Sequence, residues 1–393
     1  MFEITATLRY INMLDLFPQN KPTPEAERIA ALRLFRTDSI GPITFYQLVE
    51  RFGSAAESLL ALPELAKRGG RKKPLKAPDE KYIMREYKAL QKLGGRIITY
   101  ADKEYPLALT ATDDAPPVIS IIGNAALLNK SCLAIVGARN ASLNGKKFAY
   151  KLAAELGARG QVITSGLARG IDTSAHQGSV NTGTIAVVAS GIDVVYPEEN
   201  QKLYEEIAEK GLIIAESALG AKPYAAAFPK RNRIVSGISK GVIVVEATKR
   251  SGSLITARLA GEQGRDVYAV PGSPFDPRAS GPNHLIREGA TLIRNADDVI
   301  EILMNFSGNA LREPPTSVVN FIPPYHENQN EDPPEKAQEQ ILTHLSFTPI
   351  SVDELIRACH LSISALQTSL LELELAGRIK RLHGNRIILL EEE

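Results

Sequence analysis

Six short apolar runs alternating with amphipathic stretches constrain this chain more than any other feature. They are "CLAIV" from 132, "QVIT" from 161, "TIAVVAS" from 184, "LIIA" from 212, "GVIVV" from 241 and "DVYAV" from 266. Between them lie sequences such as "GKKFAYKLAAELGARG" and "EENQKLYEEIAEKG". A strand that is apolar at every position must be covered on both faces, and helical crossovers supply that cover. The pattern predicts an α/β fold: a doubly wound, Rossmann-like, mostly parallel sheet in a domain of about 200 residues.

The flanks read differently. "RIITYADKEYPLAL" and "APPVISIIGN" read as a strand, a connection and a strand ahead of that domain. Residues 24–37 repeat apolar positions at helical spacing (Ile29, Leu32, Leu34, Phe35), then a turn "DSIGP" leads to a second helix, "ITFYQLVERFG". Two readings stand. One is a helix-hairpin-helix presenting backbone amides to DNA phosphate; the other is a small helical bundle acting as a spacer. "KRGGRKKPLK" reads as a solvated, basic linker. Residues 304–334 are rich in Pro, Asn and Glu and carry no periodic pattern, which predicts a flexible linker. Three helical runs follow, one opened by the capping box "SVDE" at Ser351. "RIKRLHGNRIILL" then reads as two short strands around His383-Gly384-Asn385, which makes a winged helix. The expected organisation is a helical domain over 1–80, the Rossmann-like core over 81–303, a linker over 304–334 and a winged helix over 335–393.

The 393-residue chain has 46 basic and 45 acidic residues, so any nucleic-acid binding requires positive charge to be concentrated locally. Two cysteines, Cys132 and Cys359, imply no disulfide framework and fit a reducing cytoplasm. No apolar run reaches the roughly 20 residues that span a bilayer. The opening "MFEITATLRYINMLDLF" lacks a basic start followed by an apolar stretch, so no signal peptide and no membrane association are expected.

Ligands of doubly wound sheets sit at the carboxyl ends of the strands. Four glycine loops fall there: "AIVGARNAS", "ITSGLARGID", "VVASGID" and "KRSGSLITAR". Glycine allows close backbone approach, and free amides at a helix start attract anions. None matches G-x-G-x-x-G or a P-loop, so a dinucleotide site and a nucleoside-triphosphate site are disfavoured. Residues 222–258 carry eight cations and one acid, Glu246, a net charge of +7 in a chain of +1 overall. That is more than one phosphate requires and suits a polyanion. Tyr224 and Phe228 lie beside the stripe and are placed to stack on unpaired bases. Lys240 and Arg258 read as ordinary surface charges. Asp172 and His176, four apart, share one helix face and read as capping and loop-bonding residues rather than a metal pair, because no third ligand has suitable spacing. No nucleophile–base constellation can be assembled around Asp193, Glu216 or Glu246, so no enzyme, metal or cofactor is expected.

The series "AIVGARNAS", "ITSGLARGIDTSAH", "GTIAVVASGIDVVYPEEN", "FPKRNRIVSGISKGVIVVEA", "SGSLITA", "GRDVYAVPG" and "GPNHLIREGA", in order over residues 96–296, resembles the DprA (Smf) family. The flanking domains resemble its three-part form, with a sterile-alpha-motif-like N-terminal domain and a winged helix. The resemblance implies a cytoplasmic protein that binds single-stranded DNA during natural transformation. It also implies dimerisation through the Rossmann-like domain, protection of the strand and loading of a RecA recombinase onto it. By motif, Arg139 would contact backbone phosphate. The amides of Ser165-Gly166 and Ser251-Gly252-Ser253 would help form the pocket. Phe228, Lys230 and Arg231 would line the DNA path, and Arg169 would either contact DNA or brace its loop against Asp172. Glu198 and Glu199 of "YPEEN" depart from what a DNA-facing surface favours. The competing enzyme reading is a nucleotide-hydrolysing protein of the lysine-decarboxylase-like group. Its "PGGxGT" loop and catalytic glutamate are missing from the corresponding "PGSPFD". A third reading, a transcription regulator, is opposed by the winged-helix segment, whose net charge over 335–393 is −3.

Overall fold

The computed structural model describes residues 23–308, 334–382 and 385–390. The chain forms two compact units. One takes in the residues through Ile29 together with Glu80–Ala310; the other is Ala30–Asp79 together with Leu311–Glu393.

In chain order the elements begin with α1 (Glu25–Phe35), α2 (Pro42–Phe52) and α3 (Ala55–Arg68). Pro42 starts α2 where a missing N–H costs nothing, and left-handed Gly53 ends it. The Ser54 hydroxyl accepts from the Glu57 amide and so sets the first turn of α3. Next come α4 (Glu80–Lys92), β1 (Arg96–Thr99), a single turn α5 (Leu107–Thr110), β2 (Val118–Gly123), β3 (Cys132–Val136) and α6 (Leu143–Ala158). They are followed by β4 (Val162–Ser165), α7 (Ile171–Ser179), β5 (Thr184–Val188), α8 (Gln201–Lys210) and β6 (Leu212–Ala215). The sheet is completed by α9 (Ala227–Gly237), β7 (Gly241–Val244), α10 (Gly252–Glu262), β8 (Asp266–Ala269), α11 (Ser280–Arg287), β9 (Thr291–Leu292) and α12 (Ala296–Gly308).

These strands form one sheet in the order β1-β2-β6-β5-β4-β3-β7-β8-β9. From β6 to β9 every pairing is parallel; β1 and β2 join antiparallel at one end. The six expected strands are all present. Every residue of β3 and β5 is buried, as the unbroken apolar runs require. Leu133, Ile135, Ile163 and Ile243 pack against Leu152 and Leu156 of α6 and Ile171 of α7. The chain runs outward from β3 through β4 and β5 to β6 and returns to β7 on the other side of β3. That reversal opens a crevice at the carboxyl end of β3, which is where such sheets hold ligands.

In the second unit, α13 (Pro334–His344), β10 (Ile350–Ser351), α14 (Val352–Cys359), α15 (Ile363–Leu375), β11 (Ile379–Leu382) and β12 (Arg386–Leu389) make a winged helix. Its strands order as β10-β12-β11, and Leu355, Leu366, Leu370 and Ile387 fill its core. The capping box at Ser351 forms as expected. His383 and Gly384 of the expected turn lie outside the described residues.

One expectation from the sequence holds only in part. "KRGGRKKPLK" is solvated at Lys72, Lys73 and Lys76 and without helix or strand from Arg71, but Lys67 and Arg68 finish α3, and Gly69 and Leu75 are buried. Arg71 donates to the Leu375 carbonyl at 2.9 Å, so the segment is fastened to the end of α15.

Candidate nucleic-acid interface

Three loops leaving β3, β4 and β5 converge on one pocket, which α9 closes. Arg139 and Asn140 come from the first loop, Gly166, Ala168 and Arg169 from the second, and Ala189, Ser190, Tyr196 and Pro197 from the third. Pro223, Phe228 and Arg231 complete the lining. The wall is a ladder of rings and charge. The Arg139 guanidinium carbon lies 4.9 Å from the Phe228 ring centroid, and the Phe228 and Tyr196 centroids are 5.8 Å apart. A guanidinium over a ring face is held by the ring quadrupole without losing its outward donors.

The floor is Arg231, only 6% exposed. One of its terminal nitrogens donates to the Val187 carbonyl at 3.0 Å. The same nitrogen lies 1.5 Å from where a Cβ on Gly166 would stand, so Gly166 has to be glycine for Arg231 to reach its place. Burial pulls the Arg231 guanidinium down to about 10; the Asp172 carboxylate opposes the shift and Arg139 adds to it. The Arg231 Nε is buried without a partner among the described residues. A buried cation so incompletely answered favours an incoming anion.

Asp172 accepts hydrogen bonds from the amides of Gly166 (3.1 Å) and Ala168 (3.3 Å), so it bonds the loop after β4 as expected; it does not cap α7, whose N-cap is Gly170 with no side-chain bond. Its carboxyl is pushed upward by burial and drawn back by Arg231. His176 does not bond the loop: its Nδ1 lies 2.7 Å from the Thr184 hydroxyl, in the core.

Of the residues singled out in the sequence, Arg139, Gly166, Arg169, Phe228 and Arg231 line the pocket. Ser165 does not: it is buried, and its hydroxyl donates to the Ile135 carbonyl. The Gly166 amide, expected to face a ligand, is taken by Asp172. Lys230 is exposed outside the lining. Ser251, Gly252 and Ser253 also lie outside it, at the start of α10, where the Asn232 side chain donates to the Gly252 carbonyl at 3.4 Å. Arg169 does not brace its loop against Asp172; its Nε pairs with Glu199 at 2.7 Å, so one of the two departing glutamates is neutralised at the rim.

The basic stripe thins on folding. Arg233 is buried against Glu216 and lies 3.7 Å from Asp114, a structural role. Arg258 pairs with Glu262 one helical turn away. Lys222, Lys230, Lys249 and Arg250 remain exposed. Glu246 is held by the Ser142 amide (2.8 Å) and hydroxyl (2.6 Å) at the start of α6. Tyr196 went unnoticed in the sequence. Its only signal was a Tyr-Pro pair in the loop after an apolar strand. Among the described residues no group of three or more His, Cys, Asp or Glu is placed to hold a metal ion. No helix among them is long and apolar enough to cross a membrane.

Comparison with known proteins fits this geometry. Residues 96–304 match the family described as DNA recombination-mediator protein A. Residues 25–89 match the DprA-like N-terminal HHH domain, and residues 326–385 the DprA winged helix domain. The chain belongs to the DprA (Smf) family. Protein Smf of Escherichia coli K12 is 39% identical over 291 residues, covering 73% of this chain and 76% of that protein. DprA of Bacillus subtilis is 44% identical over 218 residues, covering 55% and 73%. The X-ray structure of Streptococcus pneumoniae DprA superposes with a TM-score of 0.62 at 36% identity, covering 68% of this chain and 95% of that one. A Helicobacter pylori DprA structure, described for its single-stranded DNA binding mode, gives 0.50 at 31% identity, covering 54% and 96%.

Proposed function

We propose that this member of the DprA family binds single-stranded DNA in the pocket between Arg139, Tyr196, Phe228 and Arg231. The observation that carries the reading is the ladder of Arg139, Phe228 and Tyr196 standing over the buried Arg231. Cations there meet phosphate, and two aromatic faces meet bases that a duplex would keep stacked. The single-stranded DNA binding described for the Helicobacter pylori relative supports it. Arg169, Lys230 and the loop Ser251–Gly252–Ser253 would extend the path of the strand beyond the pocket. In this reading the protein acts in the cytoplasm as a dimer formed through its Rossmann-like domain and has no turnover of its own. It shields DNA entering during transformation and passes it to a RecA-type recombinase.

The test sets labelled oligo-dT, a blunt duplex and a nucleoside monophosphate side by side. Oligo-dT should bind tightest, and its log affinity should fall with log salt by about 0.7 per phosphate neutralised. Equal affinity for the duplex, insensitivity to salt, or turnover of the monophosphate that Glu246→Gln abolishes would each reject it.

A further inference from the structure

Within the second unit, ten residues, 67–76, carry six cations and no acid: Lys67, Arg68, Arg71, Lys72, Lys73 and Lys76. The four lysines are exposed, and none of them forms an ion pair among the described residues. Among the described residues Arg68 alone of the six has acidic partners, Glu64 at 3.4 Å and Glu372 at 4.0 Å.

The segment is clamped to the winged helix. A Cβ on Gly69 would fall 1.9 Å from the Glu372 carbonyl oxygen, so the two backbones touch. Arg71 bonds the Leu375 carbonyl, and Gly70 lies beside Arg378 at the turn into β11. Lys380 of β11 is exposed on the adjoining strand. The acidic balance of the winged-helix sequence therefore does not describe the surface it belongs to.

The same clamp restricts α15, the helix that a helix-turn-helix protein inserts into the major groove. Ser369, Leu370, Leu371, Glu372 and Leu373 are all buried, so the middle of α15 shows no free face. Gln338 donates to the Glu372 carboxylate at 2.7 Å, and Arg51 reaches Thr368 at 3.4 Å. The buried middle of α15 offers no side chain to base edges, Ile363, Ser364 and Gln367 are exposed in its first turns, and the lysines stand free in solvent as phosphate contacts require.

We propose that residues 67–76 with Lys380 form a second nucleic-acid-binding face, which takes the phosphate backbone of duplex DNA without reading its sequence. Bonds to phosphate alone carry no sequence information and depend steeply on salt. The segment has no aromatic side chain to stack on a single strand, and its one large apolar residue, Leu75, is buried. A membrane-binding surface would expose apolar side chains among the cations. The proposal does not use the pocket of the first unit.

The test combines Lys67→Ala, Lys72→Ala, Lys73→Ala and Lys76→Ala in the full chain. Binding of a blunt duplex and of oligo-dT is titrated against salt. Duplex affinity at low salt should fall by about tenfold or more, and its log–log salt slope should shrink by about 3–4, at about 0.9 for each phosphate no longer neutralised. Affinity for oligo-dT should stay within about twofold, and the four Lys→Arg changes should restore duplex binding. Arg139→Ala should do the reverse, which separates failure of this face from failure of the pocket. Unchanged duplex affinity, equal weakening for both ligands, or wild-type protein that binds anionic vesicles but no duplex would overturn the proposal.

Discussion

Single residues of the first unit fix properties that can be measured. Arg139 is exposed, and its aromatic partner Phe228 faces the pocket. Arg139→Ala should therefore weaken oligo-dT binding by about 1–3 kcal/mol, the scale of a charge-assisted hydrogen bond, while the melting temperature barely moves. Both are measured on one preparation. Gly166 gives the opposite result. In Gly166→Ala the methyl would occupy the place of an Arg231 nitrogen that is bonded to Val187. Overpacking of this kind costs about 1–3 kcal/mol, so denaturant unfolding should show a less stable protein that also binds DNA poorly. His176 sets a pH dependence. Burial lowers it from 6.5 to about 3, so between those values the unfolded chain holds more protons and stability falls as pH falls. Asp172 works the other way: its raised value adds stability at low pH that is lost as pH rises above 3.8. In His176→Gln the acid limb of the stability curve should be flatter by up to about 1.4 kcal/mol per pH unit. Identical slopes in the two proteins would remove His176 from the account.

Helix α9 shows what an element does that its residues alone do not reveal. Lys230, Arg231 and Arg233 look equivalent in "FPKRNR", yet Lys230 faces solvent, Arg231 floors the pocket and Arg233 is buried against Glu216. Helical periodicity sorts them, but the sorting depends on partners far away in sequence, Gly166 and Glu216, which no local pattern names. For the same reason Arg233→Ala should destabilise strongly, by about 3–5 kcal/mol, because it leaves largely buried carboxylates without their guanidinium. Its folded fraction should bind oligo-dT like the wild type. The strands of the core were legible because an unbroken apolar run has one use, a strand covered on both faces. Strand β9 was not, since Thr291 and Leu292 are both exposed and leave no such signature. Of the pocket, the glycine loops and Arg139 could be read from strand ends. Tyr196 could not, because what brings it to Phe228 is the approach of two loops. The segment 67–76 looked like a linker because charge and glycine give the same local signal whether or not a distant helix covers them.

At the scale of the whole molecule, the second unit is discontinuous: residues 30–79 and the winged helix complete it together, with the sheet unit lying between them in sequence. Leu62, Leu65 and Ala66 of α3 are buried within it, and Glu372 of α15 is fully enclosed. A chain cut after residue 310 should keep the sheet unit, but amides across Pro42–Phe52 and Ala55–Arg68 should lose hydrogen-exchange protection. Protection equal to that of the full chain would show that these helices need no winged helix.

The split also sets an order of events during synthesis. At about 5–20 residues per second the winged helix leaves the ribosome on the order of 10–50 s after α3, its partner. Throughout that interval the sheet unit can close, while the apolar side of α3 waits uncovered beside the lysines at its end and just beyond it. A nascent chain of this design presents a basic segment long before its charge is set in place by α15. Stalling or early termination therefore yields a different species from the finished molecule: a complete Rossmann-like sheet carrying an unfinished, positively charged arm.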